Sequence, residues 1–238
     1  MASMGGYHFV IEKTQFPKLE RALSVALTAS RWMGAEARIF WLRDSIFAAT
    51  PYAYVGLADS DLVLKSERIT EGTPDLFAIS RKAAKRLIDE LQCPHSRFLE
   101  RICLLWTSDA VLFRFGYSRE SDIEKPALES RYKGLWLPRV TPREHYERLI
   151  DAPLYVECDL SIQGMLDKMQ KNDSSGYVTF EEVSETVPSI SVSRSLLLAF
   201  LRAAKVATKT DTFKLSCHGK ERAIACRAGD ILAVLAAI

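Results

Sequence analysis

The sequence predicts an α+β protein built from a duplicated unit. Three observations carry that prediction: strand-like runs outnumber helical ones, the turns between strands favour antiparallel hairpins, and two segments repeat along the chain in the same order. With 238 residues, the chain can bury a sizeable core and form one or two domains of ordinary size. Its 48% hydrophobic and 26% charged residues exclude a fibre or a disordered tail.

Four segments have helical periodicity. Residues 16–30 place Phe16, Leu19, Leu23, Ala26 and Leu27 on one face, with Pro17 in the first turn, where a missing N–H costs nothing. Residues 80–92 begin on a Ser cap and carry the stripe Ala84, Leu87, Ile88 and Leu91. Residues 142–150 start after Thr141, and residues 193–209 turn Leu197, Phe200, Leu201 and Ala204 inward. Strand-like runs rich in β-branched and aromatic residues lie at 7–12, 38–42, 53–56, 61–65, 101–106, 111–115, 154–159, 177–182, 212–216, 222–226 and 231–238. Thr107-Ser108-Asp109 and His218-Gly219-Lys220 read as hairpin turns.

The repeat appears twice. Phe77-Ala78-Ile79-Ser80-Arg81 and Ile190-Ser191-Val192-Ser193-Arg194, 113 positions apart, are each a short strand running into a Ser-capped helix followed by two strands. Tyr7 leading to Pro17 and Glu20-Arg21-Ala22-Leu23 is echoed by Tyr132 leading to Pro142 and Glu147-Arg148-Leu149-Ile150. The expected division is a first unit at residues 7–116, a charged linker with Pro126 at 117–131, and a second, shorter unit at 132–238. Residues 155–159 with 162–169 offer an alternative first strand and helix for the second unit. On either choice one or two of its strands are missing or short.

No run approaches the roughly 18 apolar residues that span a bilayer, and Met1–Gly6 lacks the basic start and apolar stretch of a signal peptide. A cytoplasmic location without membrane contact is expected. The five cysteines form no C-x-x-C pair and read as apolar packing residues rather than zinc ligands. Phosphate-loop, dinucleotide, metalloprotease and serine-hydrolase motifs are absent, and His8, His95, His145 and His218 stand in unrelated contexts. No cofactor, metal or catalytic residue is assigned, and the protein is expected not to be an enzyme. Residues 171–182 resemble a calcium loop, but Lys171 stands where the first oxygen ligand belongs; the segment reads instead as a hairpin turn at residues 173–176.

The net charge is only +2, yet the charges are segregated. On the second helix Arg81, Lys82, Lys85 and Arg86 lie opposite the apolar stripe; on the last, Arg194, Arg202, Lys205 and Lys209 do the same with no acid among them. Acids gather instead at Glu120, Asp122, Glu124 and Glu129 and at Glu181, Glu182 and Glu185. Cations at helical spacing neutralise DNA phosphates without reading bases, and a solvated helix face is the plain alternative.

Together these features resemble the DNA sliding clamp family, the bacterial β clamp and its two-domain relatives. His8-Phe9-Val10-Ile11-Glu12 resembles a clamp's first strand; Val192-Ser193-Arg194-Ser195-Leu196-Leu197 resembles the family's strand-to-helix junction, and Ala223-Ile224-Ala225-Cys226-Arg227 with Val234-Leu235 its closing strands. Bacterial clamps carry three such units and close as dimers, whereas two units, as here, resemble the clamps that close as trimers. The family's Met-Pro near the C-terminus is Ala236-Ala237 here. The resemblance implies a processivity factor, a ring-shaped homotrimer around double-stranded DNA that tethers DNA polymerase and other clamp-binding proteins. It implies a DNA-facing set of Lys18, Arg21, Arg81, Lys82, Lys85, Arg86, Arg194, Arg202, Lys205 and Lys209, and a partner-peptide cleft at Val187, Pro188, Val234, Leu235 and Ile238. The alternative is an α+β enzyme or small-molecule-binding protein whose site is assembled from residues distant in sequence.

Overall fold

Two runs of strands and helices follow one another along the chain. The first is β1 (Phe9–Glu12), α1 (Phe16–Trp32), β2 (Arg38–Leu42), β3 (Ser45–Thr50), β4 (Ala53–Leu57), β5 (Leu76–Ile79), α2 (Arg81–Gln92), β6 (Leu99–Trp106), β7 (Ala110–Tyr117) and β8 (Leu128–Arg131). After α3 (Pro142–Ile150) comes the second: β9 (Leu154–Ser161), α4 (Ile162–Lys171), β10 (Tyr177–Glu181), β11 (Ser189–Ser193), α5 (Arg194–Ala207), β12 (Thr212–His218), β13 (Ala223–Ala228) and β14 (Ile231–Ala236). The computed structural model describes residues 9–42, 44–58, 60, 62, 76–106, 110–118, 128–131, 138–151, 154–171, 176–181, 189–218 and 223–237.

The strand orders expose the duplication. In the first run the sheet order is β1-β6-β7-β8, and in the second β9-β12-β13-β14 repeats it position for position. Among the described residues, the first run's other sheet, β5-β2-β3-β4, is represented in the second by the pair β10-β11, the counterpart of β2-β5. β3 and β4 have no counterpart in the second run among those residues. β14 pairs with β4 from Ile231↔Leu57 to Leu235↔Ala53 and joins the two runs into one eight-stranded sheet.

Several expectations are corrected here. The second run opens with β9 and α4, the alternative start, so the helix at Pro142 is not the counterpart of α1 and the Tyr7/Tyr132 echo does not mark the repeat. Residues 117–131, expected as a linker, contain β8, which pairs with β7 through Ala110↔Arg131 to Phe113↔Leu128. Ser45–Thr50 is strand β3, which the sequence pattern does not reveal. Residues 177–181 of the calcium-like segment form strand β10, paired with β11, while its residues 172–175 and 182 lie outside the described residues. The same holds for the expected strand at 61–65, apart from Leu62, for the turn at Thr107-Ser108-Asp109, and for Gly219 and Lys220.

Burial explains why these segments settle as they do. α1 and α5 pack on one face of the long sheet, against Ile39, Trp41, Ile46, Val55, Ala233 and Leu235. The opposite face is also covered. Alternate residues of the same strands, Phe40, Phe47 and Tyr54, form a second cluster, and Leu232 and Val234 pack beneath Tyr146 and Leu149 of α3. A strand covered on both faces reads as an unbroken apolar run without alternation, which is why all six residues of β3 are buried and its sequence shows no period. α3 is held at its start by a capping box, with the Glu144 amide donating to Thr141 Oγ1 at 3.2 Å and the Thr141 amide to Glu144 Oε2 at 2.6 Å. Gly56 lets α3 approach: a Cβ there would stand 2.7 Å from Phe47 Cβ and 3.2 Å from Pro142 Cγ.

Candidate nucleic-acid interface

The helices form a row in which α2 packs beside α1, α1 beside α5, and α5 beside α4, on the side of the long sheet away from α3. Each helix turns its apolar stripe to the sheets and its polar side outward. Exposed along the row are Lys18, Arg21, Arg31, Lys82, Lys85, Arg86, Lys168 and Lys205, with Lys209 just beyond α5, against the exposed acids Asp89 and Asp167. This is a cation-rich surface on a molecule of nearly balanced charge.

The expected DNA-facing residues divide into two groups. Lys18, Lys82, Lys85, Arg86, Lys205 and Lys209 are exposed; Lys205 donates to Gln163 Oε1 on α4 at 2.6 Å. The guanidinium groups of Arg21, itself exposed, and of Arg81, Arg194 and Arg202 tie elements of the fold together. Arg81 on α2 donates to the carbonyl of Ser30 and, at 2.6 Å, to that of Gly34, satisfying the end of α1. Arg194, its repeat partner, donates to the carbonyl of Met169 near the end of α4. The repeated Ser-Arg pair therefore marks a helix-to-helix tie, and the Arg81 pKa is lowered by burial and then by the neighbouring Arg38 and Arg31. Ser80 caps α2 by accepting from the Ala83 amide at 3.1 Å, whereas Ser193 makes no cap bond and meets Ser195 Oγ at 2.9 Å.

Arg21 and Arg202 sit where the two halves of the chain meet. Arg21 grips Asp230 through both oxygens, at 2.7 and 2.8 Å, and donates to the Ala207 carbonyl at 3.1 Å. Arg202 on α5 lies over the Trp32 ring of α1, with Cζ 5.4 Å from its centroid. Arg31 and Lys168 belong to the exposed row although neither is marked by the sequence pattern. Arg31 lies past the apolar stripe of α1, and Lys168 becomes visible only once α4 is recognised as a row helix.

The expected peptide cleft needs correction. Val234 is buried under α3 and Leu235 in the main core, because successive residues of β14 point to opposite faces of a sheet covered on both. Val187, Pro188 and Ile238 lie outside the described residues. A groove of about 690 Å³ opens nearby instead, among the end of α1 at Met33 and Gly34, the β3–β4 turn at Tyr52, Leu196 of α5, and Ala236 and Ala237. Tyr52 and Tyr177 stand at it 65% and 53% exposed, two large rings beside a floor of small side chains. The Ala236 amide donates to the Tyr52 carbonyl at 2.9 Å and fixes the groove where the two halves join.

No helix among the described residues is long and apolar enough to cross a membrane. Among those residues no group of three or more His, Cys, Asp or Glu side chains is placed to hold a metal ion.

No protein-family model and no curated protein matches the chain by sequence. Solved structures do match in fold. The DnaN sliding clamp (DNA polymerase III subunit beta) of Bartonella birtlesii superposes with a TM-score of 0.61 at 14% identity, covering 100% of this chain and 68% of that one. The DNA polymerase III subunit beta of Pseudomonas aeruginosa gives 0.60 at 12% identity, covering 100% and 68%. That of Thermotoga maritima gives 0.53 at 11%, covering 98% of this chain and 65% of the other. The chain thus spans about two thirds of the length of the clamps it matches. Its fold is the α+β sliding-clamp fold.

Proposed function

We propose that this chain, built on the sliding-clamp fold, is itself a DNA sliding clamp: a non-enzymatic processivity factor that encircles duplex DNA without reading its sequence. The observation that carries this reading is the helix row, whose exposed side is rich in Lys and Arg while its buried side closes the core. Lys18, Arg31, Lys82, Lys85, Lys205 and Lys209 are the cations we assign to phosphates. Ammonium and guanidinium groups at the ends of flexible, exposed side chains attract phosphates without fixing a register, so the protein stays on DNA yet moves along it. Two units per chain, β1–β8 and β9–β14 joined by a connector containing α3, need three copies to supply six, which makes a homotrimeric ring the proposed assembly. The groove at Tyr52 and Ala236 is the proposed tether for a DNA polymerase or another clamp-binding protein. A cytoplasmic location fits that role.

Binding to a linear duplex over a range of salt tests the phosphate track. Removing one cation from a phosphate should make the slope of log K against log salt shallower by about 0.9. Changing Lys18, Lys82 and Lys205 together to Ala is expected to weaken binding equally across sequences and flatten that slope. Arg143→Ala with Lys214→Ala, on α3 and on the outward side of β12, is expected to change little. Equal losses from both sets would reduce the attraction to diffuse charge and remove the track. A monomer at micromolar concentration by light scattering would remove the ring.

A further inference from the structure

We propose that the end of α1 is a binding site for single-stranded DNA, in which the Trp32 indole stacks on an unpaired base while Arg31, with Arg38 beside it, holds the adjoining phosphates. The site is separate from the duplex track, and its geometry does not depend on a ring.

Trp32 is the last residue of α1 and is 41% exposed, whereas Trp41 is wholly buried. It follows Arg21 by eleven residues, about three helical turns, so both side chains leave the helix in nearly the same direction. The core does not need the indole, because Met33, the next residue, is buried and packs there. Arg202 lies over the ring from α5, with Cζ 5.4 Å from its centroid, and holds it in one place before any ligand arrives. A ring already ordered loses little freedom when a base stacks on it.

Four guanidinium groups surround this end of the helix, those of Arg31, Arg38, Arg81 and Arg202. Arg31 precedes the indole and is exposed. Arg81 reaches from α2 to the carbonyls of Ser30 and Gly34, two residues to either side of Trp32. Arg38 donates to the carbonyls of Ala35 at 2.6 Å and Ala37 at 3.0 Å. Burial lowers the Arg81 pKa, and the charges of Arg38 and Arg31 lower it further, which puts the three cations in one another's field. Among the described residues no carboxylate pairs with any of the four, and the acid of the following loop, Glu36, lines the groove. Cations gathered without an acid repel one another, and a bound phosphate relieves that repulsion.

The indole decides which nucleic acid fits. Cations alone suit a duplex, whose bases stack on one another and offer only their edges. An aromatic ring among the cations adds a flat partner for a base whose own face is free, and only an unpaired strand supplies one. α1 carries Lys18 near its start and the indole at its end, so a duplex lying on the row would run on into an unpaired strand at Trp32, beside the groove at Met33 and Gly34. That placement rests on the proposed function; the stacking site does not.

The test uses the full chain with three probes: a fluorescein-labelled oligothymidylate of about 12 residues, an abasic strand with the same number of phosphates, and a blunt duplex of equal length. By anisotropy the parent should bind the oligothymidylate about tenfold more tightly than the abasic strand, and Trp32→Ala should lose that preference while keeping its duplex affinity within about twofold. Unlabelled oligothymidylate should quench the tryptophan fluorescence of the parent. In Trp32→Phe the quenching should vanish while the affinity stays within about threefold, since a phenyl ring still stacks. Arg31→Ala should make the salt slope for the oligothymidylate shallower by about 0.7. Equal affinity of the parent for the oligothymidylate and the abasic strand would overturn the site whatever the variants do. Equal losses on single strand and duplex in Trp32→Ala would overturn it too, by assigning the indole a structural role. An unchanged slope in Arg31→Ala would remove the phosphate contact. A parent that binds duplex but not the single strand would overturn this site and leave the track, whereas one that binds the single strand but not duplex would overturn the track and leave the site.

Discussion

Arg81 and Lys82 are neighbours on α2 with opposite assignments, which makes them a sharp test. Arg81 reaches the end of α1 and donates to the carbonyls of Ser30, a buried residue, and Gly34, an exposed one. Truncation to Ala would leave a helix-end carbonyl without its donor. A hydrogen bond from a charged group contributes about 1.5–3 kcal/mol, and the cation at the helix C-terminus acts in the same sense. Since the second carbonyl can turn to water, the expected cost of Arg81→Ala is about 2–3 kcal/mol. At this chain length that lowers the melting temperature by about 5–10 °C. Lys82→Ala, at an exposed position, should change stability by no more than about 0.5 kcal/mol. For DNA the order reverses: Lys82→Ala should weaken binding, and Arg81→Ala should leave it nearly unchanged at a temperature where the variant is folded. Thermal unfolding by circular dichroism and duplex binding by fluorescence anisotropy read the two effects separately. If Arg81→Ala melts like the parent and binds DNA as poorly as Lys82→Ala, the division of the basic residues into ties and track is wrong.

Leu149 of α3 is 3% exposed beneath the outer face of the sheet, so Leu149→Ala should cost about 2–4 kcal/mol in denaturant unfolding; a loss below about 1 would mean that α3 is not anchored there. Gly56→Ala should cost about 1–3 kcal/mol, because its Cβ would meet Phe47 Cβ at 2.7 Å, and a neutral result would show that the strand can shift to admit it. Burial pushes the Cys226 thiol well above its ordinary range, with Cys158 adding to the effect. At about pH 9 the unfolded thiol ionises while the folded one keeps its proton, so stability should fall as pH rises past about 8.5. Thiol titration of the native protein should leave Cys226 unlabelled, and rapid native labelling there would refute its placement. Ala236→Arg should fill the groove and abolish stimulation of a partner polymerase while leaving DNA affinity intact or slightly raised.

What the sequence disclosed, and what it concealed, follows from how local each signal is. α3 is legible to its last residue because Thr141, Pro142 and Glu144 write the cap into consecutive positions. The repeat at residues 77–81 and 190–194 is legible for the same reason, but its purpose is not. Sequence places Arg81 and Arg194 on polar helix faces, and only the structure shows each reaching the end of a neighbouring helix. β3 escapes because burial on both faces erases the period that marks a strand. The groove cannot be read from sequence at all, since its walls come from the regions around residues 33, 52, 196 and 236. Val234 and Leu235 are close to it in sequence, yet the alternation of β14 sends one to α3 and the other to the core.

Retention on DNA of different topology tests the central claim most directly. A ring threaded on a nicked circular duplex cannot leave by sliding, whereas on a linear duplex with free ends it can. The protein is incubated with the circle, separated from unbound chain by gel filtration at moderate salt, and the DNA is then cut once. A threaded ring should travel with the circle and be released on linearisation. Equal retention before and after the cut would show that the basic helix row binds DNA from one side without encircling it.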